Sequence, residues 1–359
     1  MKPITTIVAA VFAAQFVSAQ APEVKTAEQV YKNIQQLKGT PADQLNAAMQ
    51  FISVSLGVEC EACHVAGKFD ADDKNNKKTA REMMAMTAAI NKDSFRGQRQ
   101  VTCYSCHRGS LRPVAVPPVQ DSDTPPHPAA PATPPGAEGP PPTVDDIIAK
   151  YLSAVGGADT MKNITSRTMK GTLMAMGSET AIDLYTKAPN KRVSISHMSP
   201  TADSYTAFDG TAGWLGTTGR AAREMSPTEA FAASLDADFY LVAHLKELFP
   251  QLRRGRPAEV AGAMCETINA TRPGQPAVVF YFDQKTGLLQ RMVRFADTPM
   301  GRMPTQIDYA DYREVDGVKT PWRWTLARTN GRFTIQLKEV KNNLAIDDAK
   351  FAKPEGDVK

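Results

Sequence analysis

Two five-residue stretches, Cys60-Glu61-Ala62-Cys63-His64 and Cys103-Tyr104-Ser105-Cys106-His107, constrain this chain more than any other feature. Each places two thiols three positions apart and an imidazole directly after the second. That arrangement attaches a c-type haem: the sulfurs add to the two vinyl groups and the histidine reaches the iron. With five Cys and five His in 359 residues, random order would give about 0.001 copies of the pattern. The chain has two, and they use every cysteine except Cys265. A zinc ribbon would hold its two Cys pairs closer along the chain, and a redox dithiol would need neither the second copy nor the histidines.

The first residues indicate the compartment. Residues 1–19 carry one early cation, Lys2, an apolar run from Ile4 to Val17, and a small-residue cleavage site at Val17-Ser18-Ala19. This reads as a signal peptide, too short to remain as a membrane span. No cysteine follows the cleavage site, so a lipid-modified N-terminus is not expected. Thioether attachment takes place on exported chains, so the expectation is a periplasmic or otherwise exported protein, soluble or peripherally associated with a membrane. The net charge of +4 does not argue for nucleic acid. Residues 20–112 hold 13 Lys and Arg against 10 Asp and Glu, and the four propionates of two haems would cancel that surplus.

Three helices are expected before the second motif. A capping box at Thr26 and Gln29 starts one with Val30, Ile34 and Leu37 on a face, ended by Gly39. A second runs from Thr40 to Gly57, with Leu45, Ala48, Met49, Ile52 and Leu56 at three-and-four spacing. A third spans Lys77 to Asn91 and carries Ala80, Met83, Met86, Thr87 and Ile90 on one side. The order helix with methionine, loop, Cys-x-x-Cys-His thus occurs twice.

Each iron needs a sixth ligand. Between Gln20 and Gly109 the only histidines are His64 and His107, both used on the proximal side, which excludes bis-histidine ligation from within the segment. The soft donors there are Met49, Met83, Met84 and Met86, and Met/His ligation raises a haem's potential. By elimination and placement the distal ligands are read as Met49 and Met83; Met86, one turn on, competes with Met83, and Met84 points elsewhere. The candidate set is therefore Cys60, Cys63, Cys103 and Cys106 for the thioethers of two haems c, and Met49, His64, Met83 and His107 for the two irons.

The runs Asn33-Ile34-Gln35-Gln36-Leu37-Lys38-Gly39, Ala47-Ala48-Met49, residues 80–91 around Met83, and Val101-Thr102-Cys103-Tyr104-Ser105-Cys106-His107-Arg108-Gly109 resemble the cytochrome c subunit of photosynthetic reaction centres, over about residues 26–114. In that family each haem follows a helix whose methionine is the distal ligand, and Met49 and Met83 fall on those positions. The family carries four haems and donates electrons to an oxidised pigment. Here there are two sites, and the loop histidine of the family's bis-histidine haem has no counterpart between Ser94 and Gln100. With both axial positions filled, the implied chemistry is outer-sphere electron transfer, not catalysis.

Residues 113–142 read as a linker, since Leu111 to Pro142 holds twelve of the 26 prolines and would form extended polyproline-like chain. His127 lies in it and reads as solvated. From residue 143 a helix to Val155 precedes short β-type runs around a helical pair at Pro227 to Leu248. Turn signals fall at Asp209-Gly210, Thr286-Gly287, Asp316-Gly317 and Asn330-Gly331. The expected architecture is multidomain: a signal peptide (1–19), an α-helical diheme cytochrome domain (20–112), a Pro-rich linker (113–142), and an α+β domain with a curved antiparallel sheet, a half-barrel (143–359). The patterns at Phe208 to Trp214, Tyr281 to Leu289 and Tyr309 to Val318 resemble lipoprotein-carrier half-barrels, which implies an apolar or lipid ligand in the concave face. The plainer reading is a docking module with Trp214, Trp322 and Trp324 as core or rim.

No catalytic set stands out in this half: His197 and His244 have no partner by spacing, Cys265 reads as a buried strand thiol, Arg253 to Arg256 as an exposed turn, and the charged residues as a solvated face. The expected partners are redox proteins, membrane-bound ones included, and no nucleic acid. The competing functions are a haem enzyme or sensor with one labile methionine, and an apolar-ligand carrier with accessory haems.

Overall fold

The computed structural model describes residues 24–113, 140–175, 177–329 and 331–354. The signal peptide, its cleavage site, most of the linker with His127, and Asn330 of the last turn signal lie outside the described residues.

Residues 24–113 are helical. The capping box forms, with Thr26 N donating to Gln29 Oε1 at 2.8 Å, but helix α1 is a single turn, Ala27–Val30. The expected continuation to Gly39 does not form. Asn33 instead takes a left-handed φ of 60°, and its amide donates to Asp70 O at 2.6 Å and Asp72 Oδ1 at 3.0 Å. A tertiary bond thus overrides the local periodicity. Helix α2, Leu45–Leu56, follows a short 3₁₀ turn and ends on Gly57 at φ 64°. Helix α3 is Asn75–Ser94, and α4, Cys103–His107, is the second Cys-x-x-Cys-His motif itself.

The C-terminal part opens with α5, Val144–Ala154, capped reciprocally by Thr143 and Asp146, where Thr143 N donates to Asp146 Oδ2 at 2.8 Å. A box of this kind contributes about 1 kcal/mol. After the short α6, Ala158–Lys162, come β1 (Ser166–Ala175), β2 (Ser178–Lys187), β3 (Lys191–Ser199), β4 (Ala202–Phe208), β5 (Gly213–Thr217) and β6 (Arg220–Glu224). Helices α7, Pro227–Ala237, and α8, Leu245–Leu248, then lead to β7 (Gln251–Arg254), β8 (Ala258–Val260), β9 (Ala263–Arg272), β10 (Gln275–Asp283), β11 (Leu289–Thr298), β12 (Gly301–Val315), β13 (Val318–Arg328) and β14 (Gly331–Asn342).

All strands join one antiparallel sheet in the order β6-β5-β4-β3-β2-β1-β14-β13-β12-β11-β10-β9-β7, with β8 on β9. Two meanders therefore meet where the first and last strands pair. The Asp316-Gly317 turn closes β12 on β13 with both residues at positive φ, 50° and 77°, as a two-residue hairpin requires. Glycine also lets the layers touch: a Cβ on Gly156, just past α5, would lie 2.1 Å from Gly317 O. The main core is on the helix-covered face, where Leu235, Leu245, Phe249, Ile268, Phe280, Phe282 and Met292 are buried. Each large side chain there contributes about 1.5–3 kcal/mol relative to exposure.

Of the exposed turn expected at Arg253 to Arg256, Arg253 and Arg254 instead end edge strand β7, where Arg254 Nε donates to Glu266 Oε2 at 2.8 Å. The alternation there is short and charged, as sheet edges often are. Strands β6 and β8 and helix α6 also went unsignalled, being only three to five residues long.

Candidate haem centre

The first motif winds into one tight turn: Cys63 N donates to Cys60 O at 3.2 Å and His64 N to the same carbonyl at 2.9 Å. Both thiols and the imidazole are thus presented from a single turn. The second motif is α4, started by Thr102, whose N–H donates to Ser105 Oγ at 3.1 Å, and ended by Arg108 at φ 50°.

Each histidine is oriented by a backbone carbonyl. His64 Nδ1 lies 2.9 Å from Phe69 O, and His107 Nδ1 lies 3.0 Å from Ser110 O. A carbonyl only accepts, so Nδ1 carries the proton in both rings and the Nε2 lone pair is left for a metal. No disulfide joins any of the five cysteines. Burial pushes the Cys63 and Cys103 thiols up, the opposite of the lowered value that an exchange-active dithiol needs. Among the described residues no three His, Cys, Asp or Glu groups converge as a metal cluster, so the two pairs do not form a zinc ribbon.

Helix α3 ties the motifs together. At its start Asn76 Nδ2 donates to Ala62 O at 3.1 Å, Lys74 Nζ donates to Glu61 O, and Lys77 Nζ donates to Phe69 O at 2.9 Å, the carbonyl that also orients His64. At its end Asn91 donates to Val101 O at 2.7 Å and accepts from Gln100 N and Val101 N, both at 2.9 Å. Lys77 and Asn91 are buried. Asp72 accepts from Arg81, Asn33 and Lys77, and the Arg81 bond foremost holds its carboxyl well below the usual range. Helix α2 meets α4 backbone to backbone: Gly109 N donates to Ser55 O at 2.9 Å, and a Cβ on Gly57 would lie 2.1 Å from Gly109 O. None of these linking polar residues was singled out from sequence, because lone Asn, Lys and Asp carry no periodic signal.

Met49 on α2 and Met83 on α3 are half-buried, as is Met84, whereas Met86 is 46% exposed. Met84 stands seven residues from both Lys77 and Asn91, in line with the packed edge of α3.

Residues 24–113 bury few apolar side chains of their own. Only Ala27, Leu45 and Ala48 among the described residues of this segment are buried apolar side chains, and it holds eight of the ten exposed large apolar side chains among the described residues, including Val30, Tyr31, Phe69 and Tyr104. Such a deficit fits a unit whose interior is supplied by flat apolar prosthetic groups. Beside the second motif, a cavity of about 810 Å³ opens between α2, α4 and the β11–β12 hairpin, lined by Phe51, Val54, Arg99, Tyr104, Arg302 and Met303.

In the C-terminal part, the two histidines read as isolated, His197 in β3 and His244 at the start of α8, both have partners. His197 Nδ1 lies 2.8 Å from Asp203 Oδ1 and its Nε2 3.5 Å from Asp183 Oδ2; His244 Nδ1 lies 2.9 Å from Asp238 Oδ1. These pairs come from cross-strand register and a turn, which spacing does not reveal. Cys265 is fully buried in β9.

Residues 3–133 match the family model described as photosynthetic reaction centre cytochrome C subunit. The photosynthetic reaction center cytochrome c subunit of Thermochromatium tepidum is 35% identical over 91 residues, 24% of this chain and 22% of that protein. The one from Roseobacter denitrificans is 30% identical over 100 residues, 25% and 27%. The chain thus spans about a quarter of the length of these curated relatives. Among solved structures, a putative outer membrane lipoprotein-sorting protein domain from Vibrio parahaemolyticus has a TM-score of 0.42 at 10% identity, covering 57% of this chain and 97% of its own. A LolA superfamily protein from Nitrosomonas europaea scores 0.41 at 10% identity, covering 59% and 99%. The part of this chain that carries both Cys-x-x-Cys-His motifs therefore resembles the photosynthetic reaction centre cytochrome c subunit family.

Proposed function

We propose that the chain is an exported diheme c-type cytochrome that carries electrons between redox partner proteins by outer-sphere transfer. The observation that carries this is the repeated geometry of a Cys-x-x-Cys turn followed by a histidine whose Nδ1–H donates to a nearby carbonyl. In this reading residues 20–112 form the haem unit, 113–142 a spacer, and 143–359 the half-barrel. The leader at 1–19 directs export, and no helix among the described residues is long and apolar enough to cross a membrane.

Cys60 and Cys63 would hold one haem c, Cys103 and Cys106 the other. When bound, each group supplies a one-electron ferric/ferrous couple. His64 and His107 present Nε2 to the metal, and their carbonyl bonds fix ring orientation and raise ligand basicity. Met49 and Met83 would supply the second donor to each iron, and such thioether donors would leave no position for small ligands and would favour a high potential. Met83 is preferred to Met86 because it is the more protected of the two on α3.

Intact mass of the exported protein tests the reading, with an addition of two haem groups expected. Cys60→Ala with Cys63→Ala should remove one of them. The ferric spectrum should show the weak far-red band of Met ligation, diminished in Met83→Ala and retained in Met86→Ala. A colourless product, or a band lost only in Met86→Ala, overturns the respective assignment.

A further inference from the structure

Helix α3 runs between the two Cys-x-x-Cys-His motifs with its ends in unlike surroundings. Its start lies against the first motif, where Asn76 and Lys74 donate to the Ala62 and Glu61 carbonyls. Its end lies against the approach to the second, where Asn91 holds residues 100 and 101. The peptide dipoles of its 20 residues add along the axis, to about half a positive charge at the start and half a negative one at the end. The first motif thus faces the positive end and the second the negative end. The charged side chains of the last turn, Lys92 and Asp93, are exposed and of opposite sign, so they leave that difference in place.

One side chain sharpens the difference. Lys77 stands in the first turn of α3 and is buried, at a helix end where dipole and burial both disfavour a cation. Three acceptors hold it: Phe69 O at 2.9 Å, Ala71 O at 2.7 Å and Asp72 Oδ1 at 3.2 Å. Asp72 does not cancel the charge, because Arg81 lies 2.9 Å from the same oxygen and two cations share one carboxylate. The other acids of that loop, Asp70 and Asp73, are exposed and screened by solvent. Phe69 O also accepts from His64 Nδ1 at 2.9 Å, which puts the ammonium within 5.8 Å of that ring nitrogen, the two bond lengths laid end to end.

The second motif lacks this arrangement: among the described residues, Ser110 O accepts from His107 Nδ1 and from no lysine or arginine. A carbonyl shared with an ammonium is a weaker acceptor for an imidazole N–H, so His64 offers a metal less electron density than His107 does. A fixed cation nearby also favours the metal state of lower charge. The shared carbonyl, the ammonium and the helix end all act in one direction, toward the ferrous state at the first site.

We infer that Lys77, through the Phe69 carbonyl and its own charge, keeps the first haem site more readily reduced than the second, so that an electron shared by the two rests beside His64. This rests on the diheme reading, and Lys77 acts in it as a positioning residue. Spectroelectrochemical titration of the full-length holoprotein tests it. Lys77→Met should shift the higher of the two couples about tenfold toward the ferric state, about 59 mV for one electron, and leave the other within about twofold. The far-red band of the ferric spectrum should persist, which separates the shift from loss of a ligand. Lys77→Arg should keep most of the wild-type potential. In a protein that carries two haems, unmoved couples, equal shifts in both, a shift of the lower couple alone, or the same shift in Lys77→Arg overturns the inference. If Lys77→Met does not load both haems, Lys77→Gln replaces it with the same outcomes, and failure of both to load shows a purely structural clamp and overturns it too. A wild-type chain whose mass lacks two haems fails the diheme reading itself, and this inference with it.

Discussion

At the residue scale, much of the chemistry rests on what a neighbouring acceptor does to an imidazole. In the haem unit the carbonyls of Phe69 and Ser110 select one tautomer without adding charge. In the sheet, His197 faces carboxylates instead, and the Asp203 hydrogen bond, then Asp183, hold its pKa above the ordinary value. Folding therefore favours the charged ring. That stabilisation is fully present below the unfolded value near about 6.5 and is lost as pH rises through the higher folded value. The side chain is 38% exposed, so the effect is small. His197→Gln should lower the urea midpoint at about pH 5.5 and converge on wild type above about pH 8.5. A constant difference across that range would show that the pair does not titrate as described. Sequence reading left His197 without a partner because Asp183 and Asp203 belong to neighbouring strands, and register decides which side chains meet.

At the scale of elements, the glycine that closes helix α2 and the one that follows the Arg108 cap of α4 are also the point where those helices touch. Gly57 needs its left-handed φ of 64° to end α2, and its missing Cβ leaves room for Gly109 O. Gly57→Ala combines left-handed strain with a backbone clash, so a loss of about 2 kcal/mol or more is expected. The loss is measurable by denaturation of the holoprotein followed at the haem absorbance; a change within about 0.5 kcal/mol would contradict the close packing. The stop of α2 at Gly57 and the start of α5 at Val144 were legible in the sequence because they are local chemistry. The arrest of α1 at Val30 was not, because it depends on Asn33 reaching Asp70 and Asp72, about forty positions away.

For the whole molecule, stability is unevenly distributed. The sheet and its helices own nearly all of the buried apolar side chains, while residues 24–113 own most of the exposed ones. The two parts touch where Arg99 Nη1 donates to Thr298 O at 2.5 Å and where a Cβ on Gly301 would lie 2.3 Å from the Phe51 ring. A variant with Cys60, Cys63, Cys103 and Cys106 all changed to Ala should keep the β-sheet circular dichroism. Its N-terminal part should be cut by protease at least about tenfold faster than in the holoprotein, because it loses the groups that complete its interior. Cleavage at an unchanged rate in residues 24–113 would show that this part folds without them.

The sequence by itself determined the two Cys-x-x-Cys-His turns, the helices that carry the methionines and most of the strands, since thiol spacing, capping and alternation act over a few residues. Only the tertiary structure decided how the pieces meet: α3 linking both motifs through Lys77 and Asn91, and Asp236 of α7 reaching Arg294 of β11. Those contacts join positions from eight to some sixty residues apart, and a buried charge finds its partner through sheet curvature and register, which leave no mark in the local order of residues.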